Sequence, residues 1–498
     1  MEHSLKKRYS IKLFANIVTG VFGAVLIAIV PKALGPVAFG QFVYLQEFFM
    51  KILGFLDMGS SIAFFTKLSA RHTRKELISF YFLYSFLLLI FILCFVSLIE
   101  SFGYTDAILP SISNQYIYLG LFFSFFTWLT QVFIKISDAY ALTVSVELIK
   151  VGHKIVSLLL LVYLVYFTAF DLDSYFYFHY ISLFSFLIVL SWLFIKKDIF
   201  QRKLLNLDFG LKKLFKEFID YCSPLLVYSV IAMAVGLFDI WLLQKIAGSV
   251  QTGFYGLAYS LAAICFLFTS AMTPIITREF SKSYEQKDLK EMRRLFYRYI
   301  PMLYSIAAFF AIFISIQSEN VLAIFTDDKF KDAYLVLIVM ALYPIHQTYG
   351  QLSGSIFYAT GQTKLVRNIA FITQPIGLVL SFTFIYLFDL GALGLAIKMA
   401  IGQLIGVNIQ LYFNAKFLNF KMKYFILHQL YAVLFFALLA YISSSIVSFD
   451  SPLIYFLVSG MIYAITVTIF TYLFPQVFAT TRDEIKQNLL RLKSVIKK

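Results

Sequence analysis

Apolar runs of about 20 residues recur along the whole chain, separated by short polar breaks. A helix of this length matches the ~30 Å hydrocarbon layer of a membrane. The composition points the same way, because 60% of the residues are hydrophobic, only 14% are charged and the mean hydropathy is +0.82. A soluble domain carries about 25% charged residues to cover its core. The sequence therefore predicts an all-α polytopic membrane protein.

We count fourteen such runs, which predicts about 14 transmembrane helices. The first seven occupy residues 11–30, 37–65, 78–99, 116–136, 144–167, 175–195 and 225–243. The second seven occupy residues 252–275, 299–316, 333–357, 369–388, 393–413, 424–447 and 453–474.

The charge distribution predicts the orientation of these spans. The formal net charge is +15, and most of the 42 Lys and Arg residues fall in alternate connections between the spans. Such an excess of basic residues on one side is the positive-inside rule, which explains the charge without a nucleic-acid partner. Both termini are then cytoplasmic in a cell (inner) membrane. Basic amphipathic sequence at 203–221 and 482–498 favours helices that lie on the anionic leaflet.

Several chemistries find no support in the sequence. The three cysteines, Cys94, Cys222 and Cys265, lack metal-ligand spacing, so we expect neither a metal site nor a disulfide framework. No P-loop pattern for ATP is present, and no cofactor is expected. The predicted outside loops are too short for a catalytic domain, and they lack the acidic or His/Arg clusters of a membrane glycosyltransferase or polymerase. The chain is therefore predicted not to be an enzyme.

An internal repeat divides the chain. Two turns share the pattern KxxGxxxxG followed by an aromatic residue, and each pair of equivalent positions is 213 residues apart, as between 32 and 245. The paired residues are Lys32 and Lys245, Gly35 and Gly248, Gly40 and Gly253, and Phe42 and Tyr255. Because the copies are six spans apart, both run in the same direction. This predicts two six-helix lobes related by a parallel repeat, as in many secondary transporters.

The repeat sets the predicted domain boundaries. An N-lobe (1–200) is followed by a cytoplasmic amphipathic linker (201–224) and a C-lobe (225–415). Two further spans (416–475) and a basic cytoplasmic tail (476–498) complete the chain.

Charges inside spans mark the candidate site, because a charge near the bilayer centre costs about 2.5–3.5 kcal/mol on insertion scales. Glu47, Lys51, Gly54 and Asp57 share one face of span 2. The first two can form an i,i+4 ion pair. This pair is either a structural contact between packed helices or part of a cavity wall, and the sequence favours neither.

The other candidate cavity residues lie in separate spans, and each also has a purely structural interpretation. Small residues in a stripe usually serve packing, a carboxylate near a span end is hydrated by water, and a lone histidine is usually a packing group. Lysine without a counter-charge in its own helix suits an anionic ligand, unless it snorkels to the interface. The candidates are Asn16, Asp239, His346, Gln347 and Lys398. Glu47 and Asp239 are the candidates for ion coupling.

Several short motifs resemble those of a known family. Residues 34–40 (LGPVAFG) resemble the LGPxxYG element of the polysaccharide transporters in the multidrug/oligosaccharidyl-lipid/polysaccharide (MOP) superfamily, with Phe39 in place of Tyr. Residues 57–59 (DMG), 239–255 (DIWLL followed by GFY) and 330–333 with 359–362 (FKDA and ATGQ) resemble further elements. The family's arginine after the span 7 aspartate is Ile240 here, so no role of that arginine transfers.

This resemblance implies a function. Similar proteins are Wzx-type flippases, which move polyprenyl-pyrophosphate-linked oligosaccharide repeat units across the membrane by alternating access for O-antigen, capsule or related polysaccharides. Lys51 and Lys398 would then meet phosphates. The implied partners are the lipid-linked oligosaccharide, membrane lipids and polysaccharide polymerase or assembly proteins. A multidrug or organic-cation antiporter of the same superfamily and a lipid II flippase remain alternatives.

Overall fold

The computed structural model describes residues 5–70, 76–140, 142–200, 211–484 and 486–487, and these residues form helices and short connections without a β-strand. The helices are α1 (Leu5–Asp57), α2 (Ser60–Ala70), α3 (Glu76–Ser101), α4 (Thr105–Ile108), α5 (Asn114–Ala139), α6 (Thr143–Phe167), α7 (Leu172–Lys196), α8 (Leu211–Ala263), α9 (Phe266–Glu285), α10 (Leu289–Ile316), α11 (Ser318–Phe325), α12 (Tyr334–Met340), α13 (Tyr343–Ala359), α14 (Thr363–Ser381), α15 (Gly391–Leu418), α16 (Met422–Ser445) and α17 (Pro452–Leu473).

The helices account for the predicted membrane crossings. Within the described ranges, 11 helices are long and apolar enough to span a membrane. Two of them, in α1 and α8, are bent in the middle, so each supplies two of the predicted spans. The broken pair α12 and α13 covers the predicted span at 333–357. The predicted all-α polytopic fold is confirmed.

Three predicted spans are interrupted. The span at 37–65 breaks at Met58 and Gly59, which both have positive φ (43° and 79°), and there α1 gives way to α2. The span at 252–275 breaks between α8 and α9, and that at 333–357 breaks between α12 and α13. The sequence analysis did not predict these breaks, because hydropathy is averaged over a window of residues. A change in the backbone angles of one or two residues does not alter that average.

The two copies of the repeat bend in the same way. Gly35 in α1 has φ 74° and ψ 170°, and Gly248 in α8 has φ 78° and ψ −178°. A positive φ is accessible to glycine but strained for residues with a Cβ atom. In α1 the next residue is Pro36, whose fixed φ and missing N–H suit the first position of a new helix. The repeated glycine is therefore the bend of each hairpin.

The second glycine of each copy makes a close helix–helix contact. A Cβ atom on Gly40 would lie 1.8 Å from the Ser249 carbonyl oxygen, and one on Gly253 would lie 2.5 Å from the Pro36 carbonyl oxygen. Positions 36 and 249 are themselves repeat equivalents, so the two contacts are reciprocal. We call this site, formed by Pro36, Gly40, Ser249 and Gly253, the glycine crossing. Backbones approach this closely only where side chains are absent.

The chain divides into two compact units, and the first is Met1–Gly253. In this unit α1 packs against α5 and α6, and α5 packs against α7. Phe42, the aromatic residue of the first repeat, is buried against Phe123, Tyr175 and Phe176, and its ring stacks on His179 with centroids 5.3 Å apart. Aromatic packing therefore fixes the α1–α5–α7 side of the unit.

The second unit is Phe254–Lys498. Its core surrounds α10, which packs against α9, α13 and α16, while α13 also packs against α15. Tyr304, Tyr349 and Phe296 are completely buried in it. Tyr463 of α17 stacks on Phe309 and donates a hydrogen bond of 3.1 Å to its carbonyl oxygen.

The predicted lobe boundaries remain a prediction. Of the predicted linker, residues 201–210 lie outside the described part of the chain, and from Leu211 onward it is helical and continuous with the following span in α8. Of the predicted tail, residues 488–498 also lie outside it.

Substitution of Gly40 by alanine should destabilise the folded protein by about 1–3 kcal/mol or more, because the new methyl group overlaps backbone that cannot rotate away. The measurement is the thermal melting temperature of the detergent-solubilised protein. Gly54→Ala is the matched control, since a Cβ there meets no atom within 4 Å. Equal melting temperatures for both variants would contradict the glycine crossing.

Candidate functional site

The predicted ion pair of α1 is present. Lys51 Nζ donates a hydrogen bond to Glu47 Oε2 one helical turn earlier. The two side chains are about a third exposed (29% for Lys51 and 35% for Glu47), so both charges remain reachable from outside the protein core. Pairing lowers the cost of holding each charge within a membrane-spanning helix.

A glycine on α8 makes room for Lys51. A Cβ atom on Gly236 would lie 2.9 Å from Lys51 Cε and 3.1 Å from Cδ. The aliphatic stem of Lys51 therefore lies flat on the backbone of α8, and its ammonium group is directed along the helix towards Glu47. This contact places the second half of α1 beside the first half of α8, whereas the glycine crossing joins it to the second half of α8, after the bend at Gly248.

Asp57 organises the break between α1 and α2. Its Oδ1 accepts hydrogen bonds from the Ser61 backbone N–H (3.0 Å), the Ser60 hydroxyl (2.9 Å) and the Tyr81 hydroxyl (3.0 Å). Its Oδ2 accepts from the Ser61 hydroxyl at 2.7 Å. A carboxylate at the start of a helix satisfies N–H groups that lack partners within the helix, so Asp57 terminates α1 and starts α2 together.

Lys135 extends this network. Its Nζ donates to the Ser61 Oγ, which in turn donates to Asp57. Lys135 is half-buried and contacts the Asp57 network from α5. The pairing of Asp57 with a basic residue 78 positions later left no local sequence signal.

In the second unit, neutral polar groups join α13 to α15. Gln403 Nε2 donates to Gln347 Oε1, and the Ser353 hydroxyl donates to Gln410 Oε1 at 2.7 Å. Asn414 Nδ2 donates to the Ser353 carbonyl oxygen at 2.9 Å. We call these five residues the amide seam.

Small residues allow the amide seam to form. A Cβ atom on Gly350 would lie 3.0 Å from Val407, and one on Gly354 would lie 3.6 Å from Gln410 Oε1. The two α13 glycines therefore bring the helices close enough for their side chains to bond. Gln347 was a predicted site residue, whereas Gln403, Gln410 and Asn414 were missed. Their spacing of seven and four positions on one helical face was the available signal.

His346 is adjacent to Gln347 of the amide seam in sequence, but its ring lies near Tyr304. It is half-buried, its ring centroid is 6.0 Å from that of Tyr304, and its Nδ1 has no hydrogen-bond partner among the described residues. The predicted site residues in this unit therefore belong to two environments, an amide pair at Gln347 and an aromatic one at His346.

The remaining predicted residues are placed as follows. Asp239 on α8 and Lys398 on α15 are half-buried, and each interacts with a neighbouring group. In α15, a Cβ on Gly402, one turn after Lys398, would meet no atom within 4 Å. The side chain of Asn16 lies outside the described part of the structure. The structure thus joins Glu47 to Lys51 and Gln347 to α15.

Substitution of Asp57 by alanine should lower stability by about 1–3 kcal/mol, because the buried Tyr81 hydroxyl and the Ser61 backbone N–H lose their acceptor. Thermal unfolding of the solubilised protein measures the effect. Asp106→Ala removes an exposed carboxylate from α4 and should leave the melting temperature unchanged. An Asp57 variant as stable as the Asp106 variant would show that the network has no structural role.

Comparisons with known proteins identify relatives of parts of the chain. Residues 224–383 match the MatE family. Over 203 residues the chain is 26% identical to the probable low-salt glycan biosynthesis flippase Agl15 of Haloferax volcanii; the match covers 40% of this chain and 42% of that protein. The chain thus spans less than half the length of this curated relative.

Solved structures are similar over most of the chain. The inward closed conformation of the lipid II flippase MurJ has a TM-score of 0.67 at 15% identity, and the match covers 92% of this chain and 98% of that one. An inward-facing multidrug resistance MATE family transporter of the MOP superfamily has a TM-score of 0.59 at 15% identity, with coverages of 84% and 95%. An outward-facing multidrug resistance MATE family transporter of the MOP superfamily has a TM-score of 0.55 at 16% identity, with coverages of 83% and 94%.

These similarities agree with the helical architecture. The fold is that of the MOP-superfamily transporters, and the proteins that resemble this chain are transporters and flippases. Together with its apolar helices, this makes the chain a multi-pass membrane protein with a MOP-type fold.

Proposed function

We propose that this protein is a Wzx-type flippase that moves polyprenyl-pyrophosphate-linked oligosaccharide repeat units across the cytoplasmic membrane. The products would be used for O-antigen, capsule or a related surface polysaccharide. The observation that carries the proposal is Lys51, a cation held within a membrane-spanning helix and about a third exposed. The similarities to a probable glycan biosynthesis flippase and to a lipid II flippase support the same substrate class.

Lys51 suits a pyrophosphate head group. An ammonium group has three N–H donors, and Glu47 takes one of them in the structure. The remaining donors can bind phosphate oxygens through charge-assisted hydrogen bonds, which are stronger than neutral ones. Because the Lys51 stem is held against Gly236, the ammonium group is positioned before the substrate arrives.

Glu47 gives this site a means of ion coupling. A phosphate and the Glu47 carboxylate compete for the same ammonium group. Binding of H⁺ or another cation to Glu47 would therefore change the affinity of Lys51 for the phosphate, and antiport of H⁺ or Na⁺ is the proposed form of this coupling. Asp239, on the same helix as Gly236, is the second candidate for coupling.

The membrane potential provides another driving force. With the cell interior negative, outward movement of an anionic head group is favoured by about 2.3 kcal/mol per charge per 100 mV. The proposed orientation, with both termini cytoplasmic, follows from the basic connections.

The second unit offers groups for the glycan. Gln347 and its partner Gln403 are neutral amides that both donate and accept, as sugar hydroxyl groups require. Lys398 supplies a second cation on α15 for phosphate. Membrane lipids, and polysaccharide polymerase or assembly proteins that receive the flipped unit, are the proposed partners.

Two alternatives are each favoured by one observation. The similarity to MurJ supports a lipid II flippase, whose substrate would also be an anionic lipid-linked saccharide. The similarity to MATE transporters supports a multidrug or organic-cation antiporter, for which Glu47 and Asp239 would be the substrate carboxylates. Lys51 favours the anionic substrate, because a cation beside the site repels organic cations.

Deletion of the gene should cause complete oligosaccharide repeat units to accumulate on the polyprenyl carrier and should abolish the surface glycan. The reason is that polysaccharide assembly on the outer leaflet receives no repeat units, while their synthesis on the inner leaflet continues. Mass spectrometry of the carrier-linked lipids and a surface-glycan stain measure both effects, and complementation should reverse them. Unchanged lipid-linked intermediates combined with lost drug or cation efflux would support the antiporter instead.

Substitution of Lys51 by alanine should reduce surface glycan about tenfold or more at normal protein abundance, because a charge-assisted phosphate contact contributes roughly 1.5–3 kcal/mol. The control is Lys329→Ala, whose lysine is 64% exposed and paired with Asp327. The exchange Glu47→Lys/Lys51→Glu keeps the ion pair but moves the cation by one turn. Full function of that double variant would assign the pair to structure only.

A further inference from the structure

An apolar groove lies in the first unit between α1, α3, α4 and the first half of α8. Its volume is about 610 Å³, and every side chain that lines it is hydrophobic. Aromatic rings form much of the wall: Phe48, Phe55, Phe91, Phe95, Phe238 and Trp241. Phe91 and Phe95 on α3 remain 58% and 41% exposed, so the groove opens to the lipid side of α3.

One end of the groove is closed by a fixed segment. The Trp241 indole N–H donates to the Ala107 carbonyl oxygen at 2.8 Å, and the Tyr44 hydroxyl donates to the Ile108 carbonyl oxygen at 3.0 Å. Gln244 Nε2 donates to the Pro110 carbonyl oxygen at 3.2 Å. Side chains of α1 and α8 thus hold α4 and the turn after it in place across this end.

The groove adjoins the Lys51 site along both helices. On α1, Phe48 and Phe55 lie three residues before and four residues after Lys51, which places them on the same side of the helix. On α8, Met233 and Leu237 flank Gly236, over which the Lys51 stem lies. The Lys51 ammonium group therefore lies beside the apolar groove. The same two helices, α1 and α8, contribute to both the cation site and the groove.

We propose that the apolar groove holds the isoprenoid chain of the substrate while Lys51 binds the phosphate of the same molecule. This inference rests on the proposed function, and it specifies where the lipid part of the substrate binds. An amphipathic lipid with one anionic group matches the arrangement, because the groove offers apolar contacts along its length and the charge lies at its border. Flat aromatic walls suit the methyl-branched, unsaturated units of an isoprenoid chain.

The test uses the full-length protein in phospholipid nanodiscs and two probes with the same head group. One is a long-chain polyprenyl phosphate, and the other is geranyl phosphate, whose chain is too short to fill the groove. Ala234 lines the groove and is exposed, so Ala234→Trp fills it without replacing a charged residue. Ala464→Trp is the matched control, since Ala464 is an exposed alanine on α17.

Ala234→Trp should weaken binding of the long-chain probe about tenfold or more, because several methylene groups of the probe can no longer be buried in the groove. The same substitution should leave geranyl phosphate binding unchanged. Ala464→Trp should bind both probes as the parent protein does. Equal long-chain binding by the parent and Ala234→Trp, or equal weakening of both probes, would overturn the groove assignment while leaving the flippase proposal intact. Failure of the parent protein to bind either probe would overturn the proposed function as well.

A photo-crosslinking residue at position 234 gives an independent readout. In the presence of the long-chain probe, the crosslinked adduct should be the polyprenyl phosphate, and the same residue at position 464 should capture phospholipid. Capture of phospholipid alone at position 234 would show that bulk lipid occupies the groove and would overturn the proposal.

Discussion

The glycine crossing is the contact on which the arrangement of α1 and α8 depends. Gly40 and Gly253 meet backbone carbonyl groups at distances that no side chain permits, and the bends at Gly35 and Gly248 lead each helix into this contact. Because the contacts are reciprocal, a single glycine pattern present twice produces both halves of the interface. The contact of Lys51 with Gly236 lies on the other side of the Gly248 bend, so the second half of α1 packs against both halves of α8.

A charged site within apolar helices needs compensation at each step. Glu47 accepts a hydrogen bond from Lys51 and balances its charge. Gly236 on α8 lets the lysine stem stay in apolar surroundings while its ammonium group remains accessible. Asp57 and Lys135 use a different solution, in which hydroxyl groups of Ser61, Ser60 and Tyr81 lie between or beside the charges. The first arrangement leaves donors available for a ligand, whereas the second uses its acceptors to join helices.

Sequence periodicity predicted the helices, the repeat and the Glu47–Lys51 pair, because each depends on residues near one another in the chain or on a regular pattern. It did not predict that Gly40 would meet Ser249 and Gly253, since the partner of a small residue leaves no local mark. Lys135 was missed for the same reason. The amide seam was half predicted: Gln347 stood out in a polar helix, whereas Gln410 and Asn414 were hidden in α15, where apolar residues dominate.

The amide seam also affects how α13 and α15 can move. Each glutamine side chain both donates and accepts, so Gln403 and Gln410 can exchange one partner for the next as the helices slide past each other. No net charge has to leave its counter-ion during such a shift, and the glycines of α13 present little steric resistance. The amide seam therefore resists separation of the two helices while permitting displacement along the helix axis.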